Sequence, residues 1–181
     1  MKHKALFLDR DGVINEDFDY VYQIKDFQFK SGIFELCKIA NQKGYKIFVI
    51  TNQAGIARGY YSERDFLKLT KWMKDEFEKQ NCTITHVYYS PYHPEFGNTK
   101  YKRNSVFRKP NPGMILKAQK RYFIDLENSM LVGDQNTDVE AGLKAGIGKN
   151  FLLLNEGKKN NSSHHAEAIQ IKNLDEVIPF L

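Results

Sequence analysis

Short runs of β-favouring apolar residues alternate with stretches of helical spacing along nearly the whole chain. That alternation restricts the fold more than any other feature. Residues 4–8 form a brief apolar run that leads directly into acidic residues and reads as a buried strand. Residues 32–42 carry apolar side chains at helical intervals, with Gly44 following as a C-cap. Residues 46–50 are a second β-rich run. Ser62, with Asp65 three residues on, opens a helix expected to reach about residue 79, with Phe66, Leu69, Trp72, Met73 and Phe77 facing inward. Further strands are expected at 85–89, 129–133, 151–154 and 168–171. Further helices are expected at 112–121 and 137–145, with a short closing one at 174–181. Strands and helices in this order build βαβ units, so the fold class is α/β: a Rossmann-like three-layer α/β/α arrangement around a mainly parallel sheet. Ligands of such sheets bind at the carboxyl ends of the strands. This puts Asp9, Thr51, Ser90 and Asp134 on one rim.

A chain of 181 residues suits one domain with a sizeable core, here 1–181. Residues 91–107 break the strand–helix rhythm and read as an extended loop, of the length that usually carries function. Residues 155–165 are polar and expected to be mobile. Cys37 and Cys82 lack the close spacing of a disulfide framework or zinc site, which fits a reducing cytoplasm. A strand beginning within four residues of the N-terminus leaves no room for a signal peptide, and no apolar run has the length of a membrane span. The excess of 27 basic over 22 acidic residues suits small anionic ligands. The basic stretch 100–109 is too short for an extended nucleic-acid groove. No membrane or nucleic-acid partner is expected, and the default is a monomer.

The strand ends carry the groups that phosphate-ester chemistry requires: a nucleophile, a proton source, cations to offset repulsion and donors for the phosphoryl oxygens. In Asp9-Arg10-Asp11-Gly12, Asp9 can attack phosphorus, and Asp11, two residues on, can shuttle the proton. The latter needs a raised pKa on Asp11, which a nearby carboxylate could cause. Gly12 lets the backbone turn closely. A helix-capping acidic turn is the plainer alternative, but it leaves an apolar strand running into Asp-x-Asp-Gly unexplained. Asp134, after the fourth strand, can join Asp9 in holding Mg²⁺ through oxygen. Asp138 is either an outer orienter of that ion or an ordinary helix first-turn acid. The Thr51 hydroxyl can hold phosphoryl oxygens, with Asn52 beside it. Arg58 lies in the turn-rich basic loop that follows. Lys109 offers a fixed positive charge, and Arg108 a planar fork able to grip a second phosphate.

Together Asp9-x-Asp11-Gly12, Thr51-Asn52, Lys109-Pro110 and Gly133-Asp134-x-x-x-Asp138 resemble the haloacid dehalogenase (HAD) superfamily, with the second Asp of its phosphatases and phosphomutases. The short distance from Gly12 to the second strand implies a minimal cap or none. Leu8–Asn15, Thr51–Gly59 and Arg108–Met114 are more closely similar to the D-glycero-D-manno-heptose 1,7-bisphosphate 7-phosphatases, which share much with histidinol-phosphate phosphatases. The resemblance spans residues 4–154. It implies removal of a C7 phosphate in nucleotide-activated heptose synthesis. It implies Mg²⁺ on Asp9, the Asp11 carbonyl and Asp134. It also implies substrate contacts from Asp17, Phe18, Asp19, Tyr20, Thr51, Asn52, Gln53, Ala54, Arg108 and Lys109, and Arg58 and Gln135 are counted with that set.

Two departures stand out. Many members carry three Cys and one His for a structural zinc after the third strand. Here the stretch reads Ser90-Pro91-Tyr92-His93-Pro94, so no zinc is expected. Packing by Tyr88, Tyr89, Tyr92, Phe96, Tyr101 and Phe107 is expected to order the loop instead. Gln135 stands where the close family often has Lys. His164-His165, in a Ser/Asn-rich stretch, reads as solvated loop. The competing readings are a histidinol-phosphate phosphatase, a polynucleotide 3′-phosphatase, and a phospho-receiver module, whose acceptor Asp typically stands at a later strand.

Overall fold

The computed structural model describes residues 2–154 and 167–181. The strands are β1 (Ala5–Leu8), β2 (Lys46–Asn52), β3 (Ile84–Ser90), β4 (Met130–Gly133), β5 (Lys149–Leu153) and β6 (Ile169–Ile171). The helices are α1 (Ile33–Gln42), α2 (Ala54–Ala57), α3 (Glu63–Lys79), α4 (Gly113–Tyr122) and α5 (Asn136–Ala145). The strands form one sheet in the order β3-β2-β1-β4-β5-β6, and every pairing is parallel. The chain therefore winds outward from β1 in one direction through β3, then restarts on the other side at β4. The gap between β1 and β4 is the topological switch point where such sheets bind ligands.

Strand alternation divides the core between two faces. Leu6, Leu8, Ile47, Val49, Met130 and Val132 point to one side and pack with Ile33, Leu36 and Cys37 of α1 and Leu69, Met73 and Phe77 of α3. Ala5, Phe7, Phe48, Ile50 and Leu131 point to the other and pack with Met114, Ile115 and Ala118 of α4 and Ala141 of α5. With both faces covered, the strands need unbroken apolar runs instead of alternating ones, as the sequence shows.

The expected elements are present with shifts of a few residues at their ends. Ser62 caps α3, its hydroxyl accepting from the Asp65 N–H at 3.2 Å while Asp65 accepts from the Ser62 N–H at 2.9 Å. Such a cap contributes about 1 kcal/mol. Trp72 is partly buried and packs against this core, and Thr70 is buried as well. The closing helix is a 3₁₀ helix, Leu174–Phe180, because Pro179 lacks the N–H a longer α-helix would use. The four-residue α2 falls where a loop was expected. Gly55 interrupts its helical signal and is required there because a Cβ would collide with the Tyr61 ring. Residues 91–107 hold no helix or strand, only an isolated bridge between His93 and Lys102. Cys37 and Cys82 are buried free thiols. The polar stretch 155–165, with His164 and His165, lies outside the described residues. No described helix is long and apolar enough to cross a membrane.

Candidate active site

Beyond β1 the backbone turns sharply. The N–H groups of Val13, Ile14 and Asn15 all converge on the Arg10 carbonyl, and Gly12 donates to Asn15 at 2.7 Å. Gly12 has φ +86°, and a Cβ there would collide with the Asp134 carboxylate. The glycine therefore serves both the turn and the approach of the β4 end to the β1 end. Gly133 does the same on β4, where a Cβ would strike Asp138.

Asp9, Asp11, Asp17, Thr51, Asn52, Lys109, Asp134, Gln135, Thr137 and Asp138 line a cavity of ≈ 160 Å³ above the switch point. Larger hollows of ≈ 400 and ≈ 380 Å³ lie elsewhere on the surface, but neither joins the strand-end groups. Lys109 is the hub. Its Nζ stands 2.7 Å from Asp9 Oδ1 and 2.6 Å from Asp138 Oδ1, and donates to the Ile50 carbonyl at 2.9 Å. Burial alone would push the ammonium's pKa down, but the Asp138 and Asp9 carboxylates more than offset it and hold the pKa above its ordinary value. Burial pushes the Asp9 pKa well up. Asp138 and Asp134 add to the rise, and Lys109 opposes it. Two carboxylates thus share one buried ammonium, with a third, Asp134, beside Asp9.

Asp9, Asp134 and Asp138 bring ligand oxygens within 4.8 Å of one another; this is the only such His, Cys, Asp or Glu group among the described residues. The excess negative charge and the all-oxygen donor set fit a hard divalent cation. Asp138 is already committed: its Oδ1 faces Lys109, and its Oδ2 accepts the Gln135 N–H at 3.0 Å.

Asp11 is held by donors. The Arg10 guanidinium faces it, because the Arg10 side chain folds inward under the turn. Arg10 is 1% exposed and donates to Asp11 Oδ1 at 2.8 Å and to the Val21 carbonyl at 2.6 Å. Asn15 and Gln53 add donors to Asp11 at 3.1 and 3.0 Å.

The remaining candidates separate into three groups. Thr51, Asn52, Asp17 and Gln135 reach the cavity with Asp9, Asp11, Lys109 and Asp134. Asn52 does so with its amide already engaged: Nδ2 donates to the Lys109 carbonyl and Oδ1 accepts the Lys109 N–H, each at 3.0 Å. It clamps the backbone that presents Lys109. Gln53 is turned inward. Its Nε2 donates to Asp11 and to Thr51 Oγ1, and its Oε1 accepts from the Tyr61 hydroxyl.

Phe18, Asp19 and Tyr20 line a separate outer hollow of ≈ 360 Å³. Ala54, Arg58 and Arg108 also lie outside the inner cavity. The Arg58 guanidinium stacks 3.7 Å over the Phe96 ring, and Arg108 donates to the Tyr92 carbonyl at 3.2 Å. Burial, and then the Arg58 charge, push the Arg108 pKa down. Neither pairs with a carboxylate among the described residues.

Sequence reasoning missed Arg10, Asn15, Tyr61 and Thr137. Arg10 carried a signal, since a cation between two motif carboxylates is placed to pair with one of them.

Residues 106–178 match the HAD-hydrolase-like family. The whole chain is 50% identical to a D-glycero-alpha-D-manno-heptose-1,7-bisphosphate 7-phosphatase of Burkholderia mallei and covers 95% of it. It is 47% identical to the corresponding protein of Campylobacter jejuni, over 99% of this chain and 96% of that one. Among solved structures, the D,D-heptose 1,7-bisphosphate phosphatase of B. bronchiseptica, complexed with magnesium and phosphate, superposes with a TM-score of 0.85. Its identity is 25%, over 97% of this chain and 96% of that one.

Proposed function

The chain belongs to the D-glycero-D-manno-heptose-1,7-bisphosphate 7-phosphatases, within the HAD-like hydrolases, and from that premise we propose how its own residues remove the C7 phosphate. The phosphoryl group enters the ≈ 160 Å³ cavity, which is too small for the sugar as well. Asp9 attacks phosphorus: an Asp9 O–P bond forms as the bond from phosphorus to the C7 oxygen breaks. Asp11 gives its proton to that leaving oxygen. Water then attacks the aspartyl-phosphate, Asp11 takes its proton, and inorganic phosphate leaves with Asp9 restored. Lys109 and the Thr51 hydroxyl hold the equatorial oxygens, while Asn52 and Asp138 fix Lys109.

Asp9, Asp134 and the Asp11 carbonyl would hold Mg²⁺, which when bound offsets the repulsion between Asp9 and the phosphate. The second phosphate lies against Arg58 and Arg108, with Asp17 and the 18–20 segment along the sugar. The two buried thiols support a reducing, cytoplasmic setting. The observation that carries the assignment of roles is the buried Lys109 ammonium between Asp9 and Asp138 at the switch point.

The test offers the purified protein, with Mg²⁺, both anomers of heptose 1,7-bisphosphate, fructose 1,6-bisphosphate, histidinol phosphate and a 3′-phosphorylated oligonucleotide. The heptose substrate is expected to show the highest kcat/KM and to lose its C7 phosphate, with activity abolished by EDTA. Turnover of the oligonucleotide alone would overturn the reading. Asp9→Asn is expected to lower kcat by about 10⁴-fold or more. Acid-quenched wild type should yield a phosphorylated peptide containing Asp9.

A further inference from the structure

We propose that Glu63 is a positioning residue for the distal half of the substrate: its carboxylate anchors the 91–107 segment, and that segment holds Arg58 and Arg108. The proposal rests on the reading that these two arginines take the second phosphate.

Residues 91–107 have little with which to order themselves. Positions 94–100 are all exposed, and the segment has no helix or strand. One carboxylate at the start of α3 gathers several of its contacts. Glu63 Oε1 accepts from the Tyr101 hydroxyl at 2.6 Å and from Lys100 Nζ at 3.0 Å. Its Oε2 accepts from the Tyr89 hydroxyl, on β3, at 2.7 Å. Lys100 closes the group by donating to the Tyr101 hydroxyl at 2.8 Å. Short hydrogen bonds to an ionised oxygen are roughly twice as strong as neutral ones. One side chain thus ties together a helix, a sheet strand and the segment.

The contacts continue from Tyr101 to the arginines without a gap. The Tyr101 carbonyl accepts the His93 N–H at 3.1 Å, and the His93 carbonyl accepts the Arg103 N–H at 3.0 Å. His93 Nδ1 in turn accepts the N–H groups of Glu95 and Phe96 at 3.1 and 3.2 Å, closing the turn that carries Phe96. On one side of His93 the Tyr92 carbonyl receives Arg108; on the other, the Phe96 ring supports Arg58. Arg103 stacks 3.9 Å over the Tyr92 ring and steadies it. Gly97 packs against Ala57, whose carbonyl would stand 3.0 Å from a Cβ there, so the turn sits directly on α2. Displacing Tyr101 therefore displaces both arginines, while the ion pair between Asp9 and Lys109 and the Asn52 bonds to the Lys109 backbone do not involve the segment.

The experiment compares wild type with Glu63→Ala, Glu63→Gln, Tyr101→Phe and Arg108→Ala. The substrates are heptose 1,7-bisphosphate and p-nitrophenyl phosphate, which has no second phosphate. Glu63→Ala is expected to raise KM for the bisphosphate about tenfold, with kcat held within about twofold and p-nitrophenyl phosphate kinetics unchanged. Tyr101→Phe should reproduce a smaller part of that rise. Glu63→Gln, which keeps an acceptor oxygen, should recover part of the loss. Trypsin should cut after Lys100, Lys102 or Arg103 several-fold faster in Glu63→Ala than in wild type. Unchanged KM and unchanged cleavage in Glu63→Ala, with KM raised by Arg108→Ala, would overturn the proposal. So would an equal loss of kcat on both substrates. An Arg108→Ala enzyme with wild-type KM for the bisphosphate would instead overturn the underlying reading of the arginine pair.

Discussion

At the end of β1, Asp9, Asp134, Asp138 and Lys109 are each at most 8% exposed and crowd one cavity. Over residues 91–107, Lys100, Lys102 and Arg103 stand in solvent, and rings and a single carboxylate hold the backbone beneath them. In the first region the side chains are buried, so every charge is strongly felt by the others and none can be removed alone. In the second, each contact is screened and individually modest, and order comes from several acting together. On the proposed reading, the difference matches two jobs. Breaking a phosphate ester demands the same stiff arrangement for any ester. Telling a bisphosphate from a monophosphate needs only a second anion site held at the right distance, and that site can be rebuilt without disturbing the chemistry.

The sharpest way to break this division is at Lys109. Lys109→Met leaves Asp9 and Asp138 facing each other with no ammonium between them. kcat should fall about 10³-fold on p-nitrophenyl phosphate and bisphosphate alike. Urea unfolding should show a loss of about 3–5 kcal/mol, the cost of stranding buried partners. Retained kcat with only a raised KM for the bisphosphate would dissolve the distinction between the regions. A smaller effect is expected at Asn52, which holds the Lys109 backbone at both its N–H and its carbonyl. Asn52→Ala should lower kcat about tenfold on both substrates, by letting the ammonium drift. It should cost about 1–3 kcal/mol for the unpartnered groups it leaves. An effect on the bisphosphate alone would place Asn52 with the outer region.

The two regions also differ in how much of them could be read from the sequence. The apolar runs and the residues just beyond them located Asp9, Thr51 and Asp134, because a parallel sheet brings strand ends together whatever the loops do. The start of α3 was legible because a capping box is local, with Ser62 and Asp65 three residues apart. What the side chains do once there was less legible. Asn52 and Gln53 read as substrate contacts, and their amides are also engaged with Lys109, Asp11, Thr51 and Tyr61, which the sequence did not signal. Arg10 looked like motif filler and is one of the most buried side chains. Glu63 carried no signal at all. Its partners lie 26, 37 and 38 residues away, and only the packing of α3 beside β3 brings them within reach. The rings expected to order the 91–107 segment include Tyr92, Phe96 and Tyr101, which do hold it. The carboxylate that receives two of the tyrosines could not be picked out from the other acids of a solvated helix.

The smallest effect, and the finest probe of the outer region, is the titration of Glu63 itself. The Tyr101 hydroxyl foremost, then the Tyr89 hydroxyl and the Lys100 ammonium, hold its carboxyl down at about 2, against an ordinary 4.5. A lowered folded-state value means that the unfolded chain takes up the proton first as pH falls. The contribution to stability is therefore complete above about 4.5 and drains away toward pH 2. Glu63 is partly open to solvent, so screening keeps the energetic effect small, and the measurement should be made on the group itself. In a ¹³C NMR titration the wild-type Glu63 carboxyl should show a midpoint near 2, and Tyr101→Phe should move it back toward 4.5. Phe96 and Tyr92 resonances should shift with it, since they lie on the same chain of contacts. A wild-type midpoint near 4.5 would mean that the tyrosines and Lys100 do not close on Glu63 in solution. The outer region would then owe its order to the arginine–ring stacks alone, and its independence from the buried rim would be greater still.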